Sequence, residues 1–105
     1  ALISHLPVLV SAALLQAAER GASGADRAAL VRALASTGFA DPTRVGGGNP
    51  ELGSLMARCN REAVLEALGH YRQAIESLEQ RLLRQQWPEL QAELSHCQQL
   101  RPEFL

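Results

Sequence analysis

The sequence contains no lysine: its ten basic residues are all arginine, set against eleven acidic ones for a formal charge of −1. So even a balance offers neither nucleic acid nor an anionic membrane the basic surface either would require, and neither is expected as a partner. Cysteine is nearly absent. Cys59 and Cys97 belong to no Cys-x-x-Cys pattern, which argues against a zinc ribbon or a redox pair, and the expectation is reduced thiols in the cytoplasm. No uninterrupted apolar run is long enough for a membrane span of ~20 residues: the stretch from Leu6 to Ala18 is broken by Pro7, Ser11 and Gln16. No basic segment precedes it, so it does not read as a signal peptide. Period-2 alternation of apolar and polar residues is missing, and so is a Gly-x-Gly-x-x-Gly after a strand-like run, which excludes a dinucleotide-binding fold. His70, His96 and Cys97 form no i, i+4 ligand set, so no metal site is expected. The chain begins without methionine on an apolar, helix-favouring run, and Ala1 is expected not to be the natural start.

What is present is a chain of 105 residues, 47% apolar and 20% charged, enough for one folded domain spanning 1–105. Leu2, Ile3, Leu6, Leu9, Val10 and Leu14 belong to an apolar set that surrounds a first helix, which predicts a central element buried on most sides. Pro7 would kink that helix or restart it near Ser4. The stretch 21–24 breaks it, and Asp26 to Ala35 reads as a second helix with Leu30, Val31 and Leu34 inward, the helical stretch ending near Gly38. From Phe39 to Asn49, Pro42 and Gly46-Gly47-Gly48 without apolar periodicity predict an irregular loop. Asn49-Pro50-Glu51 is a helix start, with Asn as cap and Pro where a missing N–H costs nothing, and a short helix should run to Cys59. Asn60 can cap again. From Arg61 to Gln86, Leu68, Tyr71, Ile75, Leu78 and Leu82 form a coiled-coil-like seam. At ~1.5 Å per residue that helix is too long for one small core to cover, so its stripe asks for a second copy of the chain. After Trp87-Pro88 a last helix, with Trp87, Leu90, Leu94 and Cys97 on one stripe, is expected to pack antiparallel on it. The fold class is therefore all-α: a central buried helix, a long seam helix and a C-terminal antiparallel helix.

Three features could carry chemistry. In Ser4-His5-Leu6-Pro7, a histidine at a helix break can turn its ring toward a pocket, or simply bond a backbone carbonyl at the edge of the core. In Gly38-Phe39-Ala40-Asp41-Pro42-Thr43-Arg44, an Arg between helices, three residues after an Asp that can orient it, suits bidentate binding of a carboxylate. A surface Arg paired with a nearby acid would look the same. Gly46-Gly47-Gly48 before a helix start resembles a phosphate cradle, but the Lys-Ser/Thr pair of a P-loop is missing and a turn is the better reading.

Taken in order, Ser4-His5-Leu6-Pro7, then Gly38-Phe39-x-Asp41-x-Thr43-Arg44, then Asn49-Pro50-Glu51-Leu52 and Asn60-Arg61-Glu62 resemble the C-terminal domain of the prephenate/arogenate dehydrogenases across the whole chain. The resemblance implies a helical homodimerisation domain that follows an N-terminal Rossmann domain, in an enzyme of tyrosine biosynthesis that oxidatively decarboxylates a cyclohexadienol. It implies NAD or NADP bound mainly by that other domain, with the catalytic base there too, so that no catalytic or cofactor-binding residue is expected in this chain and the fragment alone should be inactive. It places Arg44 on the ring carboxylate of arogenate or prephenate, with Asp41 holding the guanidinium and His5 near the substrate's side chain. Two positions depart from many relatives, which have His where Val8 stands and, in several prephenate users, Trp where Gly53 stands. The smaller residues suit the amino-acid side chain of arogenate. Two other readings remain open: a purely structural dimerisation module, and a regulatory module that binds tyrosine through His5 and the loop.

Overall fold

The computed structural model describes residues 1–22, 24–34 and 36–105. Among them there is no strand, and the chain is all-α, as the patterning requires. The helices are α1 (His5–Gly21), α2 (Ala25–Leu34), α3 (Thr37–Thr43), α4 (Pro50–Cys59), α5 (Arg61–Leu83) and α6 (Trp87–Phe104), with a 3-10 turn at Val45–Gly47. Two compact units divide the chain, Ala1–Ala67 and Leu68–Leu105.

In the first unit α1 is the hub, and α3, the 3-10 turn and α4 all pack on it. Of the two expectations for Pro7, the start near Ser4 holds, with Ser4 as the N-cap residue. The helix begins at His5, which puts Pro7 in its first turn, where backbone N–H groups have no intrahelical partner in any case. Its burial is far less than the apolar circumference predicts: only Ser11 is fully buried, at 1% exposure, while Leu14 remains exposed. The reason is that three short elements cannot enclose a helix of 17 residues. Likewise Leu30, Val31 and Leu34 of α2, expected inward, are exposed. Val31 and Leu34 line an open cleft of about 550 Å³ with Leu15, Ala18 and Phe39. The expected end of that helix at Ala35 and the Ser23 position of the preceding break lie outside the described residues.

The loop predicted for 39–49 is largely helical instead. Helix α3 accommodates Pro42 because the only bond forfeited is the one to the carbonyl of Gly38, in a helix of seven residues. Thr43, also buried, replaces lost order by donating its hydroxyl to the carbonyl of Phe39 at 2.6 Å, with Ala40 a longer second acceptor at 3.3 Å. The 3-10 turn follows at once, its amides at Gly47 and Gly48 donating to the carbonyls of Arg44 and Val45. Helix α4 starts where expected. Asn49 Oδ1 accepts from the amides of Glu51 at 2.9 Å and Leu52 at 3.4 Å, and Pro50 takes the first helical position. Val64 and Ala67, early in α5, are the only buried apolar residues among those described.

In the second unit, α5 ends three residues short of the expected Gln86. Gln85 adopts φ 53, its amide donates to the carbonyl of Leu82 at 3.2 Å, and the amide of Gln86 donates to that of Arg81 at 2.8 Å. This pair of bonds is a Schellman motif, the termination that glycine usually provides. The chain then turns back, so that Glu93 of α6 accepts from Ser77 at 2.7 Å and from Arg81 at 3.1 Å, and Gln86 accepts from Arg81 at 2.9 Å. The seam is only half covered: Leu68, Tyr71 and Leu78 are half-buried, whereas Ile75 is 45% and Leu82 53% exposed. On α6, Leu90 is half-buried while Trp87, Leu94 and Cys97 stay open.

Candidate functional site

The candidate residues sit on elements joined through α1. His5 is the first residue of α1 and half-buried; its Nδ1 lies 3.4 Å from Nδ2 of Asn60, the residue between α4 and α5. An amide nitrogen of Asn only donates, so Nδ1 is the acceptor of this pair. His5 also lines a small apolar recess with Val8, Leu9, Gly53, Met56 and Ala57. Within it Val8 and Gly53 are neighbours: a Cβ placed on Gly53 would lie 3.7 Å from Cγ1 of Val8, ordinary van der Waals contact. Position 8 on α1 and position 53 on α4 therefore share one wall beside His5.

Arg44 stands at the junction of α3 and the 3-10 turn with helical backbone angles, and its side chain is exposed. Asp41 is exposed on the last turn of α3. No hydrogen bond or ion pair joins Asp41 to Arg44, or either of them to His5, among the described residues. A guanidinium without a carboxylate partner is free to take one from a ligand. What fixes the Arg44 segment is a contact that sequence reasoning did not find. The amide of Gly46 donates to Oγ of Ser11 at 2.8 Å, tying the turn to the middle of α1. The approach is so close that a Cβ on Gly46 would fall 2.4 Å from the amide nitrogen of Ala12 and 2.6 Å from the carbonyl carbon of Ser11. Ser11 and His5 are six residues apart, ~9 Å along a helix at 1.5 Å per residue, so the Arg44 segment docks about two turns from His5.

Ser11 and Asn60 are the site-supporting residues that the sequence concealed. Ser11 reads as a polar interruption of an apolar run, and Asn60 as a helix cap and the first residue of the Asn60-Arg61-Glu62 motif. The glycine run is no phosphate cradle in shape: Gly46 spends its amide on Ser11, and Gly47 and Gly48 spend theirs on the 3-10 turn.

Comparison with known proteins bears on this arrangement directly. Residues 1–96 match the family model described as prephenate dehydrogenase, dimerization domain. The chain belongs to the prephenate dehydrogenase dimerization-domain family. Among solved structures, the crystal structure of Synechocystis arogenate dehydrogenase is 48% identical over 99% of this chain, with a TM-score of 0.94. The chain spans 37% of the length of that protein. A search of curated protein sequences finds no match. Both named similarities are to dehydrogenases, and the prephenate dehydrogenase family name attaches dimerisation to the domain itself. Dehydrogenases of this kind use a nicotinamide cofactor.

Proposed function

We propose that this chain is the C-terminal helical domain of an NAD(P)-dependent prephenate/arogenate dehydrogenase of tyrosine biosynthesis, where it forms the homodimer and supplies substrate-binding residues. The observation that carries this reading is the match to an arogenate dehydrogenase at 48% identity over essentially the whole chain. The nicotinamide and the catalytic base belong to a Rossmann domain that precedes these residues in the complete cytoplasmic enzyme, and the fragment alone is inactive.

Arg44 binds the ring carboxylate of the substrate. It is exposed, lacks an internal carboxylate partner, and is held by a turn bolted to α1, so its backbone is set before the ligand arrives. Asp41, one turn earlier, orients the guanidinium once the ligand draws it in. His5 meets the substrate's side chain. Arogenate is the preferred substrate: Val8 and Gly53 lie together beside His5, at the two positions where bulkier His and Trp are expected in prephenate-using relatives.

Steady-state kinetics of Arg44→Ala in the complete dehydrogenase test the reading. Loss of a hydrogen-bonded charge partner, ~1.5–3 kcal/mol, should raise KM for the substrate roughly 10- to 150-fold with the dimer intact. Unchanged kinetics would leave only a structural dimerisation module. Val8→His combined with Gly53→Trp should move the kcat/KM ratio toward prephenate, and a complete enzyme that already favoured prephenate would refute the preference.

A further inference from the structure

The contact between Asn60 and His5 has a chemical consequence for the site proposed above. Asn60 lies where α4 hands over to α5, with φ −133 and ψ 37, outside helical geometry. Its carbonyl accepts the amide of Val64 at 3.0 Å, which starts α5, while its side chain leaves the helix junction and reaches Nδ1 of His5, 55 residues away in sequence. A residue needed only as a junction or cap would keep its side chain on local amides, as Asn49 does at the start of α4.

A neutral imidazole carries one proton on one of its two nitrogens, and whatever bonds one nitrogen decides the role of the other. The Asn60 amide donates, so Nδ1 must present its lone pair, and the proton of the neutral ring is then on Nε2. We infer that Asn60 is a positioning residue that holds His5 in the Nε2–H form, so that His5 offers a substrate a hydrogen-bond donor and recognises a carboxylate oxygen of its side chain. In this role His5 does not accept a proton from the substrate. An aspartate at position 60 would have the same shape but only acceptor atoms, and it would draw the proton to Nδ1, turning Nε2 into an acceptor that repels the same oxygen. The substrate half of this inference rests on the proposed function; the tautomer half rests on geometry alone.

Long-range proton–nitrogen NMR of the 15N-labelled chain reads the tautomer, with the His5 signals assigned by their loss in His5→Gln from among three histidines. The expected result is a pyridine-like Nδ1 and a pyrrole-like Nε2; the reverse pattern would overturn the inference. Asn60→Asp should reverse the pattern, and an unchanged one would count equally against it. In the complete dehydrogenase, Asn60→Asp should raise KM roughly tenfold, the size of one hydrogen bond to a charged group, with kcat changed less than about twofold. A normal KM in Asn60→Asp alongside a raised KM in His5→Ala would refute the positioning role. If His5→Ala leaves KM unaltered while the NMR patterns are as expected, the placement of substrate at His5 is what fails, and the tautomer assignment stands.

Discussion

Replacing Gly46 with alanine puts the packing of the Arg44 segment to a quantitative test. The added methyl would sit 2.4 Å from the Ala12 nitrogen and 2.6 Å from both the carbonyl carbon and Oγ of Ser11. Two of those three atoms are backbone of α1, which cannot rotate aside as a side chain would, so the turn must lift from the helix. Lifting it breaks the 2.8 Å bond from the Gly46 amide to Ser11, a residue only 1% exposed. Overpacking of this kind costs ~1–3 kcal/mol, and a buried hydroxyl and amide that lose each other cost ~1–3 kcal/mol more. The sum is a destabilisation of ~2–6 kcal/mol, a large part of the ~5–15 kcal/mol that typically separates folded from unfolded chains. Urea unfolding followed by circular dichroism, at one fixed protein concentration so that association does not shift the midpoint, measures it. The neighbouring Gly47 supplies the control, because a Cβ there meets nothing within 4 Å, and Gly47→Ala should stay within ~0.5 kcal/mol of the parent. Equal stability of the two variants would refute the claim that the turn is bolted to α1, and with it the argument that Arg44 is presented on a preset backbone.

Other perturbations follow from the helix ends and from the Glu93 carboxyl. Gln85→Gly should stabilise the chain by ~0.5–1 kcal/mol, because glycine takes the left-handed conformation that Gln85 holds at φ 53 without steric cost; a lower urea midpoint would contradict the Schellman assignment. Asn49→Ala removes an acceptor shared by two amides of α4 and should cost ~1 kcal/mol in the same measurement, whereas Asn49→Asp should be nearly neutral. The Glu93 carboxyl is held below its ordinary value of 4.5, chiefly by the Ser77 hydroxyl, against partial desolvation and with further help from Arg81. A depressed folded-state value means that this contribution is fully present at neutral pH, begins to fade as pH falls past the ordinary value, and is gone below the depressed one. Glu93→Gln should therefore differ most from the parent near pH 7 and converge with it on acidification; a gap that widens toward low pH would refute the ion-pair reading. Sedimentation of the chain at micromolar concentration should return a dimer, and a mass of 11.3 kDa would refute the homodimer.

How far the sequence disclosed these features depended on whether the signal was local. The start of α4 is written in three consecutive residues, because Asn49 caps amides two and three positions ahead and Pro50 needs no donor. The end of α5 was overestimated for the opposite reason: it is set by a backbone conformation at Gln85, a residue type that gives no warning of a left-handed turn. The region from Phe39 to Asn49 read as loop because Pro42 and three glycines suppress any helical pattern, yet seven residues suffice for α3 when Thr43 bonds back to Phe39. Arg44, Asp41 and His5 were legible as candidates by residue type and motif. Their supports were not, since Ser11 meets Gly46 across 35 residues and Asn60 meets His5 across 55, and contacts of that span leave no periodicity to read.

The burial pattern links the remaining discrepancy to the family assignment. A first helix with apolar residues on nearly every side should occupy the middle of a core, and here it does not: Val64 and Ala67 are the only buried apolar residues described, both small. Leu2, Ile3, Leu14, Leu52, Leu55 and Leu65 of the first unit are all exposed, and Ile75, Leu82, Leu83, Trp87, Leu94 and Phe104 of the second are exposed as well. Leaving a side chain such as Leu in water forfeits ~1.5–3 kcal/mol relative to burying it, so a dozen such residues represent far more than the stability of an ordinary domain. Mutation and selection do not maintain that many large apolar residues on a free surface without an occupant for it. A family whose domain is named for dimerisation points to a second copy of the chain as the class of occupant, which is the outcome the sedimentation measurement decides.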